Sequence, residues 1–107
     1  MQYLLVVEDT KFFANVLSAR INKRLGMPIL IAKNMAEAES CILKHGQDII
    51  LSLLDLRLPD APNGEIVDLV HSHNIPSIVF TGLLDDDMQE KILAKDVIDY
   101  VLKDNPS

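Results

Sequence analysis

Ile49-Ile50-Leu51-Ser52-Leu53-Leu54-Asp55-Leu56-Arg57-Leu58-Pro59 is the stretch that decides the fold. From Ile49 to Leu54 the run is almost continuously apolar, the pattern of a strand buried on both faces of a parallel sheet. It delivers Asp55 at its end, where an open parallel sheet presents its reactive groups. Three further apolar runs do the same. Tyr3-Leu4-Leu5-Val6-Val7 ends in Glu8-Asp9, Ile75 to Phe80 ends in Thr81, and Val97 to Leu102 ends in Lys103. Carboxylates, a hydroxyl and an ammonium are thus set in order at four strand ends.

Helical patterns fill the intervals. Lys11 to Leu25 carries Phe12, Phe13, Val16, Leu17, Ile21 and Leu25 close to a 3.6-residue period, and Gly26 is placed to end it. Pro28 to Ala32 reads as a second strand. Asn34 followed by Glu37 is a capping signal for a helix through Ala36, Ala38, Ile42 and Leu43 up to Gly46. A loop with Pro59, Pro62, Asn63 and Gly64 precedes a short helix around Glu65 to Ser72, and Asp85-Asp86-Asp87 precedes one from about Met88 to Lys95. Strands alternating with helices imply an α/β fold, a doubly wound parallel sheet with right-handed crossovers. The expected strand order is 2-1-3-4-5, that of the flavodoxin-like group.

The chain has 107 residues, enough for one domain with a single core. Its longest apolar runs fall far short of the roughly 20 residues of a membrane helix, and no basic segment leads into a cleavable apolar one. The cytoplasm is the expected location. A net charge of −6 argues against nucleic-acid binding by this domain. The single cysteine, Cys41, lies among apolar helix positions and reads as a small packed hydrophobe.

The ordered set Glu8, Asp9, Asp55, Thr81 and Lys103, with Leu58-Pro59 closing the segment after Asp55, resembles the receiver domain of two-component response regulators over essentially the whole chain. The resemblance implies that Asp55 accepts a phosphoryl group from a sensor histidine kinase or a histidine phosphotransfer protein. It also implies a bound Mg²⁺ held by Asp9, Asp55 and the backbone carbonyl of Arg57, with Glu8 acting partly through water. Thr81 would meet a phosphoryl oxygen, Lys103 would neutralise charge, and Tyr100, three residues before the lysine, would move with Thr81 as a switch controlling an output domain or partner effector. The chemistry agrees. Three converging carboxylates repel one another unless a cation joins them, and a hard, oxygen-seeking ion such as Mg²⁺ suits few carboxylates, several waters and an incoming phosphoryl group.

The chain departs from the family pattern in places. Asp104 follows Lys103 where proline is common, Asp96-Val97 stands where Gly-Ala is frequent, the loop Asp60 to Gly64 is long and the interval from Asp55 to Thr81 is short. Receivers ordinarily carry a fifth helix, whereas this sequence stops at Ser107 just past the fifth strand. The expectation is a single receiver domain, residues 1–107, forming the N-terminal fragment of a longer regulator, with self-association as one way to cover the flank. The ending Val101 to Asn105 resembles receivers placed ahead of diguanylate cyclase domains.

Other side chains carry blander readings. His45, His71 and His73 share no ligand spacing with Cys41, and the acids at 85–87 suit a helix start rather than a calcium loop. No glycine-rich phosphate loop follows the first strand. An aspartyl-nucleophile phosphohydrolase would have an acid, not Arg57, two residues after its nucleophile, as well as a cap domain. A receiver-like protein-binding module that signals without phosphate would not need the full set of site residues. The domain is therefore expected to be a signalling switch rather than an enzyme.

Overall fold

The computed structural model describes residues 1–56, 58–81 and 99–102, with Thr81 and 99–102 described as strand backbone. The elements are β1 (Tyr3–Val7), α1 (Lys11–Leu25), β2 (Ile29–Ala32), α2 (Met35–His45), a 3₁₀ turn (Gly46–Asp48), β3 (Ile49–Asp55), α3 (Glu65–Ser72), β4 (Ser77–Thr81) and β5 (Asp99–Leu102). The five strands form one parallel sheet in the order β2-β1-β3-β4-β5, as the alternation of elements implies. The expected helix from Met88 to Lys95, the start of the fifth strand at Val97 and the chain beyond Leu102 lie outside the described residues.

Side chains alternate along a strand, and β1 is buried on both faces, whereas the expected two-sided burial of β3 is incomplete: Ile50 is exposed, as is Ile31 of β2. Leu5, Val7, Ala32, Leu54 and Val79 pack with Ala38 and Ile42 of α2 and Ile66, Val67 and Val70 of α3. Leu4 and Val6 alternate with them, and α1 packs on β1 and β2. Phe13 of α1 stacks on Phe80 of β4, with ring centroids 5.5 Å apart. The one polar residue within the β3 run, Ser52, is fully buried and donates through both its hydroxyl (3.0 Å) and its amide (2.9 Å) to the carbonyl of Pro76. Its hydrogen-bonding needs are therefore met without water.

Helix ends follow local chemistry. Gly26 takes φ 64°, a left-handed conformation that costs glycine little, and its amide closes α1 on the carbonyl of Asn22 at 2.7 Å. Asn34 caps α2 by accepting from the Glu37 amide at 2.8 Å, while the Glu37 carboxylate reaches back to the Lys33 amide at 2.9 Å. Gly46 does not act as a stop: it remains right-handed, φ −49°, and the chain continues into the 3₁₀ turn. At the end of α3, Asn74 adopts φ 59°, and the amides of Asn74 and Ile75 return to the carbonyls of His71 (2.9 Å) and Val70 (3.0 Å). This is a Schellman closure with asparagine in the left-handed position. It explains why β4 starts at Ser77 rather than at Ile75, where the apolar run begins: the Ile75 amide is committed to the helix.

α1 spans the expected residues, but its apolar stripe is only partly covered. Ala14 is buried and Phe13, Leu17 and Ile21 are half-buried, whereas Phe12, Val16 and Leu25 face solvent. No helix among the described residues is long and apolar enough to cross a membrane.

Candidate functional site

β1 and β3 are neighbours in register, with Val7 opposite Leu54, so the residues that leave their carboxyl ends emerge side by side. Those residues are Glu8, Asp9 and Asp55. One carboxylate oxygen from each lies within 4.8 Å of the others. Glu8 is 1% exposed and Asp55 4%, while Asp9 is open to solvent. The backbone accounts for the difference. The Glu8 amide still donates to Ala32 at 2.9 Å, extending the β1–β2 ladder by one residue and holding Glu8 within the sheet. Its carboxylate also accepts from the Thr10 amide at 3.2 Å, just ahead of α1, where the positive end of the helix dipole favours an anion.

Two buried carboxylates beside a third, exposed one form a site with an open side and a strong preference for positive charge. All the donors are hard oxygens. The set fits a divalent cation of the Mg²⁺ or Ca²⁺ type and offers no sulfur or imidazole that would favour zinc or copper. Among the described residues, no other cluster of three or more such side chains converges.

The remaining expected site residues are placed unequally. Asp55 pairs in register with Phe80, so Thr81 follows at the next step of β4 and leaves the same edge of the sheet. Thr81 itself pairs with Leu102, and Tyr100 with Val79, which sets the end of β5 beside the end of β4. Arg57 and Lys103 lie outside the described residues, as do the departures at Asp96 and Asp104. His71 and His73 are exposed, and Cys41 is half-buried, its thiol pushed up by burial and by the charge of Glu37. A groove of about 420 Å³, lined by Ile42, Lys44, His45, Asp48 and His73 among others, opens at the amino end of β3, away from the carboxylates.

One residue near the site was not singled out by the sequence. Asp60, in the loop after β3, accepts from the amides of Met35 (2.8 Å) and Ala36 (3.0 Å) in the first turn of α2. These bonds hold its carboxyl below the usual range, the Met35 amide contributing most. The contact spans two elements, and no local pattern announces it. The only hint is an acid directly after Pro59, in a turn on the reactive side of the sheet.

Comparison with known proteins gives the same picture. The response regulator receiver domain family matches residues 4–107. A two-component system response regulator/GGDEF domain protein of known structure is 32% identical, with a TM-score of 0.84. The match covers 98% of this chain but only 42% of that one, so this chain spans less than half the length of that relative. A CheY-like response regulator receiver domain protein from Methanospirillum hungatei JF-1 (23% identity, TM-score 0.80, covering 99% of this chain and 85% of that one) shares the fold. So does the non-phosphorylated HemR receiver domain from Leptospira biflexa (21%, 0.84, 98% and 84%). No curated protein matches the chain. With the family matched across nearly its whole length and its acidic residues gathered at the carboxyl ends of β1 and β3, the chain belongs to the response regulator receiver domains.

Proposed function

We propose that this receiver accepts a phosphoryl group on Asp55 and passes the event to an output surface. The observation that carries the reading is the convergence of Glu8, Asp9 and Asp55 within 4.8 Å at one corner of the sheet. A carboxylate oxygen of Asp55 forms the new bond to phosphorus while the bond from phosphorus to the donor's imidazole nitrogen breaks, its electron pair leaving with the imidazole. The product is an acyl phosphate. Glu8, Asp9 and Asp55, together with the carbonyl of Arg57, would hold Mg²⁺, which when bound supplies the charge neutralisation on which phosphoryl transfer depends. Lys103 adds a second positive charge, and Thr81 donates its hydroxyl to a phosphoryl oxygen.

The switch follows from Thr81 and Tyr100 on adjacent strands, a local element that phosphorylation biases between two positions. The donor is a sensor histidine kinase or a histidine phosphotransfer protein, and the site of action is the cytoplasm. The receiver is a switch rather than an enzyme in its own right. It acts on an attached or partner effector, and the 32% identical neighbour with its GGDEF domain suggests one kind of output. The acidic surface, with net charge −6, leaves any nucleic-acid binding to another domain.

The test is incubation with acetyl phosphate, with and without Mg²⁺, followed by intact mass measurement. One base-labile phosphoryl group that appears only with Mg²⁺ supports the reading. An unmodified domain under all conditions would favour a receiver-like module that binds its partner without phosphate.

A further inference from the structure

Asp60 lies in the tight turn Leu58–Ala61, whose ends exchange backbone hydrogen bonds at 3.3 and 3.1 Å and are each 1% exposed. Upstream, the carbonyl of fully buried Leu56 accepts from the Gly64 amide at 3.3 Å. Leu56 and the Leu58–Ala61 turn are therefore each held by backbone hydrogen bonds. Within this loop, the carboxylate of Asp60 reaches across to α2 and takes two consecutive amides, Met35 and Ala36. α2 already has its own cap, Asn34 to Glu37, with Glu37 returning to Lys33. What the Asp60 pair adds is a fastening between the loop and the helix.

We infer that Asp60 is a positioning residue for the metal site, holding the Leu58–Ala61 turn that follows Asp55 against α2 before a cation arrives. This rests on the reading of Glu8, Asp9 and Asp55 as a Mg²⁺ site. A loop fixed in advance loses little freedom on binding, whereas a loose one must be ordered out of the binding energy. Truncating Asp60 leaves all three carboxylates in place and weakens the site only by loosening the turn from α2.

The experiment compares wild type, Asp60→Ala, Asp60→Asn and Asn34→Ala in a Mg²⁺ titration followed by backbone amide chemical shifts, with metal-free thermal midpoints measured in parallel. Asn34→Ala removes a cap from the same helix end without touching the loop. Asp60→Ala is expected to raise the Mg²⁺ dissociation constant about fivefold or more, the factor that ordering one backbone residue represents. Asp60→Asn, which keeps one acceptor oxygen, should fall between it and wild type, and it carries the comparison if the alanine variant does not fold. Asn34→Ala should lower the midpoint yet leave the constant within about twofold of wild type. If Asp60→Ala binds Mg²⁺ as wild type does, or if Asn34→Ala weakens binding equally, Asp60 is only a helix cap. A wild type that binds no Mg²⁺ would instead overturn the site reading, and this inference with it.

Discussion

Phe80 stands opposite Asp55 in the β3–β4 register, and its ring stacks on that of Phe13 with centroids 5.5 Å apart and planes 26° from parallel. The first turn of α1, which follows the acidic pair, is thereby pinned to the strand that carries Thr81. Phe80 is 6% exposed and Phe13 half-buried, so the two should differ in cost. Phe80→Ala is expected to destabilise the domain by about 3–5 kcal/mol, and Phe13→Ala by about 1–2 kcal/mol, of which the stacked pair itself contributes about 0.5–1.5 kcal/mol. Urea unfolding of both single variants and the double variant measures the coupling. Strictly additive losses would show that the stacking contributes nothing of its own.

Two glycines at helix ends should respond oppositely to the same substitution. Gly26 is left-handed at φ 64°, with open space around it, so Gly26→Ala meets no clash yet costs about 1–2 kcal/mol in backbone strain. Gly46 is right-handed, and an added Cβ would lie 3.5 Å from a methyl of Ile42, an ordinary contact. Gly46→Ala should be neutral or should stabilise by about 0.4–1 kcal/mol through the unfolded state. Thermal unfolding of the two variants checks the sign.

Much of this architecture was legible from the chain, and the exceptions share a cause. The bounds of α1, the Asn34 cap and the strand order follow from short-range signals: an apolar period, a capping pair, and apolar runs alternating with helices. Glu8, Asp9 and Asp55 could be placed together because β1 and β3 had to be neighbours in that order. Burial of α1 was less legible, because a 3.6-residue period marks an apolar face without saying how wide a strip the sheet covers, and Phe12 and Val16 lie outside that strip. The start of β4 was misplaced because the Schellman closure at Asn74 lacks the glycine that usually announces it. Asp60 was not found at all, because its partners, Met35 and Ala36, come from another element.

The Asp60 contact carries a pH signature. Its carboxyl is lowered from the ordinary 3.8 by the amides of α2, so the folded state holds the ionised form more firmly than the unfolded state does. The stability this contributes is fully present above the ordinary value and is lost as pH falls through the lowered one. The stability difference between wild type and Asp60→Asn should be flat from about pH 5 to 8 and shrink below about pH 4. Urea midpoints across that range measure it, and a difference that grows on acidification would contradict the assigned direction.

Mg²⁺ should stabilise the domain by mass action, since only the folded chain brings Glu8, Asp9 and Asp55 together. At ten times the dissociation constant the gain is about 1.4 kcal/mol, enough to raise the midpoint of a domain this size by several degrees. Asp9→Asn, which changes the exposed member of the cluster, should reduce the rise. A wild-type midpoint unmoved by millimolar Mg²⁺ would mean that the three carboxylates are neutralised by other means.

If Asp55 carries the phosphoryl group, as proposed, reductive trapping will locate it there. After reaction with acetyl phosphate and Mg²⁺, borohydride reduces an aspartyl phosphate to homoserine, which peptide mass spectrometry locates in the chain. Homoserine is expected at position 55, dependent on Mg²⁺, and none anywhere in Asp55→Asn. Homoserine at Asp9 or another aspartate in the wild type, or equal trapping in the Asp55→Asn variant, would contradict phosphorylation at Asp55.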